Sequence, residues 1–378
     1  MAHPWIADRA LAFDSSGIRK VFELAAKMRD PINLSIGQPD FDVPEQARAA
    51  AMSAVQSRKN AYSITQGIAP LRERLQKQVE GELGHADRQL FITSGTSGGL
   101  VLTMMTLVNP GDEVLIFDPY FVAYEPLIKM VGGVPVVVDT APDLRIDVDK
   151  VRKMLTPRTK VILLNSPTNP TGKVATEAEV EGLARLAAER NIALVSDEIY
   201  RLFCYDAPFV SPARFNPHTI VIDGFSKSHG MTGWRVGWIH GPSAVIEQML
   251  KMQQFTFVCA PQPLQWGALT ALDTDMSPQI AAYRGKRDLI YDGLREHYQV
   301  AKPGGAFYIF PRIPSGPAAP WRNAAEFVEQ AIERELLIIP GHIFSRHADH
   351  FRISYAADER TLTRGIAVLQ ELAKVAGG

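Results

Sequence analysis

The apolar positions of this chain fall into two rhythms. Between residues 89 and 239, short continuous apolar runs recur at near-regular intervals: Leu90–Thr93, Glu113–Phe117, Val134–Val138, Lys160–Leu164, Ala193–Ser196, Thr219–Asp223 and Val236–Ile239. Runs of that length without polar alternation mark strands buried on both faces. Between several of them the period lengthens to that of a helix, at Gly98–Leu107, Val122–Met130 and Glu177–Arg190. In the last of these, Val180, Leu183, Ala184, Leu186 and Ala187 share one face and the charges lie opposite. Strands of this kind joined by helices predict an α/β fold with a mainly parallel sheet covered by helices.

Elsewhere helical periods dominate. They fall at Ile18–Met28, with Ser15 and Ser16 as N-cap candidates, from Pro44 to about Val55, and at Leu71–Val79. Ile32–Asp40 reads as a short strand that ends in a Gly/Pro turn. The last hundred residues read as a helix from Met276 to about Tyr298, a strand at Gly304–Phe310, a helix at Ala324–Leu336, strands at Leu337–Ile339 and Arg352–Ser354, and a closing helix at Thr361–Val375. That mixture predicts a smaller α+β domain. The expected division is an N-terminal arm and part of the small domain in 1–44, a large domain in 45–275 and the C-terminal small domain in 276–378.

Composition narrows the function classes. The chain has 378 residues, 46% hydrophobic and 21% charged, and a formal net charge of −1. It is long enough for two domains with substantial cores. No basic block or stripe is present, which argues against a nucleic-acid surface and an electrostatic membrane anchor. No stretch is long and apolar enough to span a bilayer. The first ten residues have neither a signal peptide's apolar region nor a transit composition. Cys204 and Cys259 sit in apolar segments, as buried thiols in a reducing compartment would. A cytoplasmic protein is expected.

In open sheets, ligands collect beyond the carboxyl ends of the parallel strands. Here the residues just past those ends have useful chemistry. After the first run comes Ser94-Gly95-Thr96-Ser97-Gly98-Gly99, where small residues before a helix leave backbone N–H groups for an anion. Phe121 follows the second run, Asn169 the fourth, and Asp197 with Tyr200 the fifth. After the sixth comes Ser226-Lys227-Ser228, with Arg235 eight residues beyond the lysine. Taken singly, each has an ordinary structural reading as a turn, a core aromatic, a surface acid or a surface lysine. Their shared location is what those readings do not explain.

A lysine among hydroxyls and an arginine suits a phosphorylated carbonyl compound. The roles match pyridoxal 5′-phosphate. A buried Asp197 keeps the ring nitrogen protonated, and Asn169 and Tyr200 donate to the 3-oxygen. Phe121 stacks on the ring. Gly95, Thr96, Ser97, Ser226 and Arg235 hold the phosphate, while Lys227 takes the aldehyde and then moves the α-proton.

The order and spacing of these motifs resemble the class I/II aminotransferases, fold-type I pyridoxal-phosphate enzymes. The resemblance rests on Asn169-Pro170-Thr171-Gly172, on Asp197 with Tyr200 three residues on, and on Ser226-Lys227 followed by Arg235 and Gly237. It extends over essentially the whole chain. Ser16-Gly17-Ile18-Arg19 and Ile36-Gly37-Gln38-Pro39-Asp40 resemble the family's arm and its substrate-contacting glycine, which implies that Gly37 and Asn169 meet substrate. Phe351-Arg352-Ile353-Ser354-Tyr355 resembles the segment whose arginine binds the substrate α-carboxylate, a role a planar fork also suits. Tyr62 resembles the tyrosine that reaches the neighbouring subunit's phosphate, which implies a homodimer.

The chain departs from the pattern in two places. Position 121 is Phe where tryptophan is frequent, and Phe344-Ser345-Arg346-His347 follows Pro340-Gly341 where Phe-Gly is frequent, so Arg346 is a candidate to face the substrate. His342, His347 and His350 are spaced like metal ligands, but as solvated surface histidines without partner carboxylates they predict no metal site. The activity implied is transfer of an amino group between an L-amino acid and a 2-oxo acid. The alternatives are a β-eliminating C–S lyase of the same fold and a ligand-sensing regulator domain. The second is disfavoured because the chain starts almost directly at the arm, without a helix-turn-helix. Substrate side-chain choice is not legible. Arg19, Lys20, Arg201 and Arg346 are candidates for a second carboxylate, and Phe13, Phe22 and Tyr124 for an apolar group.

Overall fold

A computed structural model of the chain describes residues 3–14, 17, 28 and 30–377. The expected helix at Ile18–Met28, with Arg19, Lys20 and Phe22, lies outside the described residues apart from Met28. The seven apolar runs become strands β2 (Gln89–Thr93), β3 (Glu113–Asp118), β4 (Val134–Asp139), β5 (Thr159–Asn165), β6 (Ala193–Asp197), β7 (Ile220–Gly224) and β8 (Gly237–Gly241), which follow a first short strand, β1 (Ile32–Asn33). They form one sheet in the order β2-β8-β7-β6-β5-β3-β4. All neighbours are parallel except β8, which runs antiparallel to both β7 and β2. The sheet is therefore mainly parallel, with one reversed strand inside it.

Period-two alternation explains how both faces are covered. On β5, Val161 and Leu163 join a cluster with Leu100, Met104 and Ile128 from helices Gly95–Leu107 and Tyr124–Met130. Ile162 and Leu164 face the other way, toward Leu183 and Leu186 of helix Glu177–Glu189. That helix starts with a reciprocal capping box between Thr176 and Glu179. Leu90 and Ile92 of β2 pack with Leu71 and Leu75 of helix Ala69–Leu83. All these side chains are nearly or fully buried, worth roughly 1.5–3 kcal/mol each in apolar transfer.

The remaining strands are short. β9 is Tyr308–Ile309, β10 Leu336–Leu337, β11 Ile339–Pro340 and β12 Phe351–Ser354. β12 lies between β11 and β9, antiparallel to both, and β1 pairs in parallel with β10. Helices Ser277–Leu294, Ala324–Ile332 and Glu359–Gly377 share an aromatic-rich core with them, including Tyr283, Phe307, Phe327 and Phe351.

Two expected boundaries shift for identifiable reasons. The helix from Ala324 ends at Ile332, not Leu336, because Glu335 turns into the left-handed region at φ +60° and Leu336 pairs with Ile32. Only Tyr308–Ile309 of the expected strand Gly304–Phe310 is paired as a strand, because the amides of Gly304 and Gly305 both donate to the carbonyl of Gly172. Cys204 and Cys259 are free and half-buried, not fully buried. Among the described residues, no helix is long and apolar enough to cross a membrane.

Candidate active site

Chain direction brings the chemistry to one edge. The parallel strands β2, β3, β5, β6 and β7 all end there, and the reversed β8 begins there. Register makes this concrete: Asn165 lies opposite Asp197, and Gly237 lies opposite both Gly224 and Thr93. Lys227 sits in the four-residue helical turn Phe225–Ser228 that follows β7, and Arg235 comes two residues before β8. Arg235 is held in the left-handed conformation (φ +56°, ψ +48°), which costs a non-glycine residue roughly 1–2 kcal/mol.

A cavity of about 300 Å³ opens at this edge. Of the residues singled out from the sequence, Gly37, Thr96, Ser97 and Phe121 line it, with Asn169, Asp197 and Tyr200 beyond them. Ser226, Lys227, Arg235 and Arg352 complete the set. Gly95 lies just behind the wall. At φ +67° it makes the turn from β2 into helix Gly95–Leu107, and a Cβ there would sit 2.5 Å from Nη2 of Arg235. Glycine is thus required for the guanidinium to approach the helix start. Tyr62 is not brought in; it is 82% exposed.

Electrostatics define what the cavity accepts. Its described lining contains three cations, Lys227, Arg235 and Arg352, and one carboxylate, Asp197. Such an imbalance favours anionic ligands. Burial pushes the Lys227 ammonium down to about 8, helped by the charges of Arg352 and Arg235 and opposed by Asp197. Its Nζ donates to the carbonyl of Gly37 at 2.6 Å. Burial also pushes Asp197 up to about 6, against a hydrogen bond from Tyr124, the Ile199 amide and the Lys227 charge.

Arg352 is 1% exposed. Its guanidinium stacks between Tyr308 and Phe344, 4.8 and 4.6 Å from their ring centres. One arm donates to Oδ1 of Asn169 (3.1 Å) and the other to the Ser35 carbonyl (2.6 Å), and Nε is buried without a partner. Among the described residues no acid forms an ion pair with this buried charge, which leaves it suited to a ligand carboxylate.

Two of the site's supports, Asn165 and Tyr308, had no sequence signal, whereas a third, Gly172, stands in the Asn169–Gly172 motif. Asn165 donates to the Asp197 carbonyl (3.1 Å) and accepts from the Asn169 amide (3.0 Å), so it fixes both strand tips. Tyr308 shares a hydrogen bond with Tyr200, hydroxyl to hydroxyl at 2.9 Å. Gly172, at φ +68°, closes the Asn169 loop against Gly305 and Tyr308, whose carbonyls would lie 2.9 and 2.6 Å from an added Cβ.

Other candidates are employed elsewhere. Arg346 pairs with Glu125, and its amide donates to Asp118, so it does not line the cavity. Arg201 pairs with Glu82 and lies 3.9 Å from Asp223. Phe13 is outside the lining; Tyr124 does line the cavity, but points its hydroxyl at Asp197. His347 and His350 do have carboxylate neighbours, Asp139 at 3.1 Å and Asp349 at 2.8 Å, contrary to the solvated reading.

A half-buried lysine with a lowered pKa, sharing one cavity with a buried carboxylate, a cradle for one anion and a guanidinium for another, is an arrangement that suits a pyridoxal-phosphate enzyme. Comparison with known proteins makes the class specific. The family model for aminotransferase class I and II matches residues 29–369, and the chain belongs to that family. It is a pyridoxal-phosphate-dependent aminotransferase. It is 37% identical to a probable aspartate aminotransferase of Methanocaldococcus jannaschii, over 97% of this chain and 99% of the other. It is 35% identical to aromatic-amino-acid aminotransferase 2 of Thermococcus litoralis, over 98% of each chain. The structure of the Thermus thermophilus aspartate aminotransferase with maleate superposes with a TM-score of 0.92 at 33% identity, covering 98% of this chain and all of that one.

Proposed function

We propose that this cavity moves an amino group between an L-amino acid and a 2-oxo acid in two half-reactions, with Lys227 as the group that handles the proton. Pyridoxal 5′-phosphate, when bound, supplies an electron sink for the charge released at the substrate α-carbon. Asp197 holds the proton on its ring nitrogen, and Asn169 and Tyr200 donate to its 3-oxygen. Phe121 covers a ring face. Thr96, Ser97, Ser226, Arg235 and the amides around Gly95 hold the phosphate. Arg352, whose Nε has no partner in the protein, takes the substrate α-carboxylate, with Gly37 and Asn169 alongside. With the cofactor bound, Lys227 would be the amine that meets its aldehyde, and the same amine would be the group that takes up and returns the substrate Cα proton. A base of this kind must be neutral when it acts, and an ammonium pushed down to about 8 meets that need near neutral pH.

The observation that carries this reading is the presence of a half-buried lysine and a buried carboxylate in one cavity with two further cations. Borohydride reduction of the holoenzyme followed by peptide mapping tests it: the label is expected on Lys227. A label on another lysine, or none, overturns the assignment. A panel of amino donors with 2-oxoglutarate tests the reaction, since glutamate marks transamination whereas ammonia with pyruvate marks elimination.

The same reading includes a cytoplasmic homodimer and two units per chain, 45–275 holding the cofactor and 1–44 with 276–378 bringing Arg352. The exposed Tyr62, Ile64, Phe255 and Phe257 support a partner surface, and Phe257 lies against Gly98 of the helix whose first turn carries Thr96 and Ser97. Sedimentation of the holoenzyme tests it, and a fully active monomer would remove it.

A further inference from the structure

Tyr124 belongs to none of the roles above, yet it lines the cavity and is 2% exposed. It is the first residue of helix Tyr124–Met130, so its backbone is fixed by the helix start. Its ring meets Phe121 edge to face, with centres 5.6 Å apart and planes at 84°. Its hydroxyl donates to Oδ2 of Asp197 at 2.8 Å. The other oxygen, Oδ1, accepts only a long contact from the Ile199 amide at 3.4 Å.

We infer that Tyr124 is a positioning residue: its phenol fixes the rotation of the Asp197 carboxylate and keeps that carboxylate ionised, so that Oδ1 faces the cavity as the acceptor for the ring nitrogen. This rests on the function proposed above. The physical argument is one of competing costs. Desolvation of Asp197 favours its neutral acid, which cannot hold a proton on a ring nitrogen. No arginine or lysine forms an ion pair with it among the described residues. The groups that face it are Tyr124 from the helix, Tyr200 from the turn after β6, and Lys227 from the turn after β7, with Asp223 on the adjoining strand as a like charge. Asn165 from β5 bonds its backbone carbonyl, not its carboxylate. Glu198, next in sequence, turns away and accepts from Ser211. Among the described residues Tyr124 is therefore the one neutral side-chain donor on the carboxylate.

The test is the affinity of the full-length apo-protein for pyridoxamine 5′-phosphate, measured from pH 5 to 9. This probe has no aldehyde, so Lys227 does not react with it. Binding to the native protein should weaken as pH falls through about 6, where Asp197 takes up a proton. In Tyr124→Phe, which keeps the ring, this acid limb should move up by roughly one to two pH units, with affinity at neutral pH lowered about tenfold. In an Asp197→Asn background the same substitution should move no limb. A pH-independent loss of affinity in Tyr124→Phe would mean a packing role and overturn the inference. So would a shift that persists in the Asp197→Asn background. If Tyr124→Phe does not fold, 3-fluorotyrosine at 124 keeps the shape and strengthens the donor, and it should move the limb down by about a few tenths of a unit; an unmoved limb overturns the inference. Failure of the native protein to bind the probe at any pH would sink the proposed function, and this inference with it.

Discussion

The two walls of the cavity are built by different means. The wall that carries Lys227, Asp197 and Asn169 is made of strand tips, and backbone register sets where each side chain stands. Strands of five to seven residues, paired along most of their length, bring Asn165 and Asp197 level and set Gly224 beside Gly237. The opposite wall, with Arg352 and Tyr308, rests on strands of two to four residues. Ladder pairing there is too sparse to fix a long side chain. Arg352 is held by stacking between Tyr308 and Phe344 and by two hydrogen bonds. Backbone geometry thus sets the groups of one wall, and aromatic packing sets the other.

That contrast can be broken at several points. The largest effect is expected for Lys227→Ala, which removes the reacting amine itself. Transamination should fall by at least ~10²–10⁴-fold while the far-ultraviolet spectrum stays native. Turnover near the native rate would remove Lys227 from the mechanism.

A pH experiment sharpens the electrostatic half of the comparison. Burial lowers the Lys227 pKa from 10.5 to about 8 in the folded chain. In the apo-protein its labelling by an amine-selective reagent, followed by mass spectrometry, should rise as pH passes through about 8 and then level. Because the unfolded chain holds that proton more tightly, this group makes the folded state less stable below pH 8. The deficit should disappear as pH rises from 8 to 10.5. A labelling midpoint at the exposed-lysine value would show that the pocket does not desolvate the amine.

On the packed wall, Phe344→Ala should cost about 3–5 kcal/mol of stability, measured by denaturant unfolding, and should raise KM for the amino acid by freeing Arg352. Loss of stability with an unchanged KM would show that Tyr308 and the hydrogen bonds hold Arg352 alone. Arg352→Lys keeps the charge but loses the fork, so kcat/KM should fall about 10²-fold. The smallest effect is expected for Arg346→Ala. Its side chain is 61% exposed and paired with Glu125, and the change should stay within about 1 kcal/mol with donor preference unaltered. A changed donor preference would return Arg346 to the substrate.

Legibility followed the same divide. Each large-sheet strand stood within one or two residues of its expected position, because doubly buried strands are written as uninterrupted apolar runs. The reversal of β8 was not written, since a buried strand looks alike in either direction. The short strands were poorly legible. Gly304–Phe310 has the residues of a strand, but its first amides serve Gly172 and its aromatics fill a core. Lys227 and Asp197 stood out by spacing and chemistry, and Arg352 by resemblance to the family's carboxylate-binding segment. Their supports, Tyr124, Asn165 and Tyr308, are ordinary core residues in sequence and gain meaning only from a partner distant along the chain. Arg346 shows the converse, a cation near a motif whose charge is answered by Glu125.

Gly172 ties these walls together. One carbonyl accepts two successive amides, from Gly304 and Gly305, both at 2.9 Å, in the loop that also carries Asn169. A side chain at position 172 would press on Pro303 and on the Gly305 and Tyr308 carbonyls, so one substitution there would disturb the carboxamide loop and the segment leading into β9 together.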